Sequence, residues 1–115
     1  MKWNFLESIE QIDVIRNLSH KKPILIFKHS TRCSISTIAL HRLDSDWSIL
    51  NRKVEPFFLD LIANRDISDA IANAFSVAHE SPQVLLLRSG ECTFESSHLD
   101  IQADEIHEAL SYKVF

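Results

Sequence analysis

Short apolar runs alternate along the chain with longer amphipathic segments, and this pattern predicts an α/β protein. The apolar runs are too short for buried helices and are rich in strand-favouring residues, so each is interpreted as a strand. The predicted strands are Ile24–Phe27, Val54–Leu61, Val84–Leu87 and Cys92–Glu95. Between them, apolar residues recur every three or four positions, which is typical of helices that pack one face against a sheet.

Four helices are predicted from this spacing. The first begins at Ser8, which has capping-box spacing to Gln11, and it ends before Pro23 because proline cannot continue a helix. Asp66 is the expected N-cap of the third helix, and the last helix covers Ala103–Ser111. The predicted apolar faces are Ile35, Ile38, Ala39, Leu43, Trp47 and Leu50 in the second helix, and Ile67, Ala70, Ile71, Ala74 and Phe75 in the third.

The order of elements, α-β-α-β-α-β-β-α, defines the fold class. A strand–helix–strand unit at the start requires a right-handed crossover and a parallel pair of strands. Ser89-Gly90-Glu91 predicts a tight turn because Gly90 is the only glycine, so the last two strands form an antiparallel hairpin. We therefore expect a central four-stranded mixed sheet flanked by helices on both faces, in one domain spanning residues 1–115.

Composition and charge narrow the classes of function. The net charge of −4 argues against nucleic-acid binding, which requires a positively charged face. The chain has no apolar run of about 18 residues and no secretory signal pattern at its start, so we expect a cytoplasmic protein without a membrane partner. Two cysteines are too few for a secreted disulfide framework. The six histidines have no zinc-ligand spacing with these cysteines, so we expect no metal site.

The candidate chemistry lies around Cys33, between a predicted buried strand and the helix that follows it. In open α/β sheets this junction is where binding sites are usually built. We expect Cys33 in the first helical turn, where free N–H groups and the helix dipole stabilise a thiolate. Arg32, Lys28 and, when protonated, His29 add the positive charge that lowers a cysteine pKa. A buried packing thiol is the alternative, but the polar residues flanking Cys33 favour a reactive one.

Ser36 stands one helical turn after Cys33, at the position where a dithiol redox motif has its second cysteine. Serine cannot form a disulfide, so a nucleophilic Cys33 would need an outside thiol to resolve its mixed disulfide. The Ser36 hydroxyl could donate to the Cys33 thiolate or satisfy the helix terminus. Cys92 is interpreted as a packing thiol, since a resolving role would require Cα atoms about 4.4–6.8 Å apart.

Ser81-Pro82 comes directly before the third predicted strand. Proline is tolerated at a strand start because it need not donate to the ladder. A cis bond at this position would instead turn the Ser81 backbone toward Cys33 and leave its polar groups free to pair with an extended substrate. The residues alone leave both interpretations open.

Together these motifs resemble a known family. The strand before Cys33-Ser34-Ile35-Ser36, Asp60 ending the second strand, and Ser81-Pro82 resemble the thioredoxin fold over most of the chain. Phe27-Lys28-His29-Ser30 before Cys33, with His79-Glu80-Ser81-Pro82-Gln83 later, resembles the monothiol bacilliredoxin-like family of bacillithiol-system redox proteins. Ser34 departs from that family, which often has proline directly after the cysteine.

The resemblance implies a cytosolic thiol–disulfide oxidoreductase without a tightly bound cofactor. It would remove bacillithiol, or a similar low-molecular-weight thiol, from mixed disulfides on partner proteins, and a second thiol or an external reductase would regenerate it. The candidate residues are Cys33 as nucleophile, Ser36, His29, Arg32 and Lys28 as thiolate support, and Ser81 and Pro82 as substrate contacts. The alternative is a non-catalytic thioredoxin-fold module, binding or redox-sensing, that recognises an extended segment beside Pro82.

Overall fold

The computed structural model describes residues 2–112 as a five-stranded sheet with helices on both faces. The strands are β1 (Asn4–Phe5), β2 (Ile24–His29), β3 (Glu55–Asp60), β4 (Gln83–Arg88) and β5 (Glu91–Ser97). The helices are α1 (Gln11–Leu18), α2 (Ser34–Ser45), α3 (Arg65–Phe75) and α4 (Ala103–Leu110), with short 3-10 turns at Trp47–Ile49 and His98–Asp100. The α/β class and the mixed sheet are as expected.

The sheet has the strand order β1-β3-β2-β4-β5, with one strand more than expected. β3 runs parallel to β1 and β2, whereas β4 runs antiparallel to both β2 and β5. The additional strand, β1, is only two residues long and pairs with Phe57 and Phe58 at the edge of the sheet. A two-residue segment is too short to show any periodicity, so the sequence pattern could not predict it.

Strand β2 lies at the centre of the sheet, and all six of its residues are buried. Leu25 and Phe27 pack in the core beneath α2 and α4, whereas Ile24 and Ile26 pack in the core beneath α1 and α3. Side chains alternate between the two faces of a strand. The two polar residues that extend β2 beyond its predicted end are therefore separated: Lys28 faces α1 and α3, and His29 faces α2 and α4.

The buried face of α2 differs from the predicted one. Ala39 and Leu43 pack on the sheet as expected, but Ile35 and Ile38 are 37% and 49% exposed. Ser36 takes the buried position in the first turn instead, with no exposed surface. The predicted stripe is wrong at its first two members because Ser36 finds hydrogen-bond partners inside the protein, and buried polar groups that are hydrogen-bonded carry little penalty.

The helices and the tight turn form where the sequence predicted them, but some helices begin at slightly different residues. Gln11 Oε1 accepts from the Ser8 N–H at 2.9 Å, as the capping-box spacing predicted. The helix itself begins three residues later than predicted, at Gln11 with Glu10 as N-cap. The N-cap of α3 is Asn64, and Asp66 lies in the first turn, two residues from its expected place. Gly90 has φ +83° in the tight turn between β4 and β5, as its position predicted.

Candidate functional site

Cys33 lies at the N-terminus of α2, at the end of the loop that follows β2. It is the N-cap residue, one position before the predicted first turn, with φ −114° and ψ 116°. Its carbonyl accepts the N–H groups of Ser36 at 3.1 Å and Thr37 at 3.3 Å, which begins the helix. The side chain is partly exposed, and it sits where free N–H groups and the helix dipole favour negative charge. The structure thus places Cys33 at the predicted end of α2, one residue before the expected first turn, and its ionisation stays a prediction.

Ser36 connects the start of α2 to the end of β2. Its hydroxyl oxygen lies 2.7 Å from His29 Nδ1, and it accepts the backbone N–H of Ser30 at 3.1 Å. Burial lowers the pKa of His29 below 6.5, and the nearby carboxylate of Asp60 opposes this only in part. His29 is therefore neutral at pH 7, and its Nδ1 can accept the Ser36 hydroxyl proton.

These contacts bear on the two roles left open for Ser36. In the tautomer whose Nδ1 accepts, the contact with His29 uses the one hydroxyl proton of Ser36, and Ser30 occupies the acceptor side. The structure therefore favours a structural role, in which Ser36 and His29 hold the loop that carries Cys33. His29 contributes to the site as this neutral partner and not as an added positive charge.

The two cations assigned as thiolate support occupy different environments. Arg32 is exposed and directly precedes Cys33. Lys28 is completely buried on the opposite face of the sheet from α2, and burial lowers its pKa from 10.5 to about 8. The structure thus places Arg32 beside Cys33 and does not bring Lys28 to the same face.

The Ser81–Pro82 peptide bond is cis, as the sharper of the two interpretations predicted. Gln83, the first residue of β4, pairs with Lys28 near the end of β2. Pro82 therefore lies at the same end of the strands as the loop that carries Cys33. The Pro82 carbonyl accepts the N–H of His98 at 3.0 Å. Ser81 is partly exposed beside it. Substrate contact by Ser81 and Pro82 stays a prediction.

Three polar residues without a predicted role lie in or beneath the loop that precedes Pro82. Gln83 and Ser68 are buried, and His79 lies against the Lys28 amine. His79 and Gln83 were part of the family motif, but Ser68 was missed altogether. The available signal for Ser68 was a polar residue between Ile67 and Ile71, on the face of α3 predicted to be apolar.

Cys92 lies at the other end of the sheet. It pairs with Leu87, four residues along β4 from Gln83, which corresponds to about 14 Å at the usual rise per residue. Burial raises the pKa of this thiol to about 11, and Sγ contacts the Phe94 carbonyl at 3.3 Å. Both cysteines are free. These observations agree with a packing thiol that is out of disulfide reach of Cys33.

Within residues 2–112, no three histidine, cysteine or acidic side chains are grouped so that they could hold a metal ion. No helix in the same range is long and apolar enough to cross a membrane.

Comparison with known proteins identifies the family and the fold. A family model described as monothiol bacilliredoxin BrxC matches residues 4–106. A solved structure described as a proposed oxidoreductase with a thioredoxin fold is 31% identical, with a TM-score of 0.78, over 91% of this chain and 90% of the other. Thioredoxin from Trypanosoma brucei brucei is 14% identical, with a TM-score of 0.74, over 95% and 88%. Thioredoxin from Fasciola hepatica is also 14% identical, with a TM-score of 0.69, over 94% and 96%. The expected thioredoxin fold is thereby confirmed.

Proposed function

Because the chain belongs to the monothiol bacilliredoxin family, we propose that it removes bacillithiol, or a similar low-molecular-weight thiol, from mixed disulfides on cytosolic proteins. The family and the fold support a thiol redox function. The observation that carries the proposal is the arrangement at the start of α2. One partly exposed cysteine caps the helix, and the residue one turn later is a buried, hydrogen-bonded serine.

In the first step, the Cys33 thiolate attacks the sulfur of the small thiol in the mixed disulfide. A bond forms between Cys33 Sγ and that sulfur, and the bond to the client cysteine breaks. The electron pair leaves with the client sulfur, which takes a proton from solvent and becomes a reduced thiol. The client is thus reduced, and Cys33 now carries the small thiol as a mixed disulfide.

In the second step, an outside thiol regenerates Cys33. Ser36 cannot attack the mixed disulfide, and Cys92 lies at the far end of the sheet with its pKa raised to about 11. A second molecule of the small thiol, as thiolate, attacks the sulfur bound to Cys33. The products are the oxidised small thiol and the Cys33 thiolate, so one client disulfide is exchanged for one small-thiol disulfide. A partner reductase could replace the second thiol in this step.

Client proteins would bind as extended segments beside Pro82. The loop before β4 lies at the same end of the strands as Cys33. The partly exposed Ser81 offers backbone groups to a neighbouring chain. Pairing of this kind recognises backbone rather than side chains, so one site would accept many clients.

Intact-mass analysis tests the proposal. The natural protein, Cys33→Ser and Cys92→Ser are each incubated with oxidised bacillithiol, oxidised glutathione and oxidised coenzyme A. We expect one adduct, with bacillithiol preferred, on the natural protein and on Cys92→Ser, and none on Cys33→Ser. The same variants are then assayed for release of the small thiol from a client protein.

A second measurement separates this function from the non-catalytic alternative. The rate of Cys33 alkylation is followed against pH, since only the thiolate reacts. An oxidoreductase should react quickly at pH values where the thiol of free cysteine is still protonated and slow to react. A Cys33 that is alkylated no faster than free cysteine at each pH and exchanges no thiol would contradict the proposal and favour a binding module.

A further inference from the structure

Lys28 is a completely buried lysine without an acidic partner in contact. Its amine lies 3.4 Å from His79 Nδ1, and its side chain has no exposed surface. Within residues 2–112, no ion pair joins Lys28 to a carboxylate. A buried charge without an opposite charge in contact is costly to a fold. An apolar side chain would cost less on this face of β2, where Ile24 and Ile26 join the core, so the lysine calls for a functional explanation.

The contact joins the central strand to the loop that precedes Pro82. Ser68, buried on α3, places its hydroxyl 3.2 Å from the same His79 nitrogen. The neighbours of His79 in the loop are held by Gln83, which donates to the Ala78 carbonyl at 3.1 Å and accepts the Glu80 N–H at 3.3 Å. Buried side chains from β2, α3 and β4 therefore hold residues 78–80 from beneath.

We propose that Lys28 is a positioning residue, which acts through His79 to hold residues 78–82 in the shape that receives an extended client segment. This inference rests on the proposed function for its biological meaning. Lys28 and Cys33 lie on opposite faces of the sheet, so the lysine acts on client binding more than on the thiolate. The proposed role differs from the support of the Cys33 thiolate that the sequence predicts for Lys28.

The charges around the contact favour one protonation state. Lys28 donates, so His79 must be neutral at Nδ1 to accept, and protonation of His79 would place two cations 3.4 Å apart. Burial and the Lys28 charge lower the pKa of His79, and burial lowers the pKa of Lys28 to about 8. The other charged or titratable groups that act on the pair are Asp69 and Arg65 from α3, Glu80 from the loop and Cys92 from β5. A charged Lys28 and a neutral His79 therefore coexist at neutral pH.

Two variants test the proposal from both sides of the contact. Lys28→Met removes the donor with an apolar side chain of similar length, and His79→Leu removes the acceptor at an exposed residue. His20→Leu is the matched control, because His20 is exposed beside the Gly90 turn at the other end of the sheet. Two measurements report the loop: the titration of His79 by NMR, in the natural protein and in Lys28→Met, and the amide exchange of residues 78–80. Two more report the chemistry: the alkylation of Cys33, and the steady-state reduction of a short peptide whose one cysteine carries bacillithiol.

We expect Lys28→Met to raise the pKa of His79 and to speed amide exchange at residues 78–80. Lys28→Met and His79→Leu should each raise KM for the peptide about tenfold, the effect of one lost charge-assisted hydrogen bond, with kcat changed far less. Cys33 alkylation should change little, and His20→Leu should match the natural protein.

Three results would overturn the inference: an unchanged His79 titration and loop exchange in Lys28→Met, an unchanged KM for the peptide, or a loss confined to Cys33 alkylation and kcat. The last result would return Lys28 to its predicted role as support for the thiolate. If the natural protein reduces no mixed disulfide, the proposed function fails, whereas the His79 titration and loop exchange still decide whether Lys28 positions the loop.

Discussion

Replacement of Lys28 by methionine should stabilise the protein at neutral pH, although it removes the polar partner of His79. Burial lowers the pKa of Lys28 from 10.5 to about 8, because the folded protein disfavours the charged form. At pH 7 this difference corresponds to roughly 3 kcal/mol of lost stability. Methionine removes that cost but also a hydrogen bond worth about 1–2 kcal/mol. We therefore expect a net gain of about 1–2 kcal/mol in the free energy of unfolding.

The gain should depend on pH in a defined direction. Below pH 8 the lysine is protonated in both the folded and the unfolded chain, so the full cost of the buried charge is present. Between about 8 and 10.5 the unfolded chain still binds the proton that the folded chain has released, so the stability of the natural protein rises with pH. The advantage of Lys28→Met should therefore shrink across this interval.

Urea unfolding followed by circular dichroism, at about pH 7 and about pH 9.5, measures both effects. Lys21→Met is the control, because Lys21 is exposed and its replacement should change stability by less than about 0.5 kcal/mol. If Lys28→Met lowers the free energy of unfolding at pH 7, or if its effect is the same at both pH values, the burial cost assigned to Lys28 is refuted. A stabilised variant with a raised peptide KM would show that the lysine is kept at the expense of stability.

Three further predictions concern the loop around Cys33 and the turn between β4 and β5. Ser36→Ala should lower the free energy of unfolding by about 1–3 kcal/mol, because the buried His29 ring and the half-buried Ser30 N–H lose their hydrogen bonds. The exposed Ser34→Ala control should cost less than about 0.5 kcal/mol, and equal effects in urea unfolding would disprove the role of the buried hydroxyl. Ser36→Cys should form an intramolecular disulfide with Cys33 on oxidation, since residues three apart at a helix start lie within bridging distance. Thiol titration should then find only the Cys92 thiol free, and three free thiols would contradict this. Gly90→Ala should lower thermal stability by more than about 1 kcal/mol, since φ is +83° and the new Cβ would lie 3.2 Å from His20, whereas unchanged thermal unfolding would show that the turn relaxes.

Some features of the site could be predicted because they depend on neighbours in sequence. The spacing of Cys33 and Ser36 places them one turn apart in any helix that begins there. Proline lowers the cost of a cis peptide bond, so Ser81-Pro82 was the natural position for one. The lone Gly90 predicted the turn for a similar local reason, since few other residues adopt positive φ.

The sequence by itself determined the order and type of nearly all elements, since apolar periodicity reflects how each segment meets water. It could not determine which side chains lie opposite each other, because that depends on strand register and on the rotation of each helix over the sheet. Ile35 and Ile38 are exposed, and Ser36 is buried, because α2 is rotated to satisfy Ser36 from the end of β2. The sequence predicts that Lys28 supports Cys33, five residues further along the chain. Strand alternation instead turns it to the other face, beside a histidine 51 residues away.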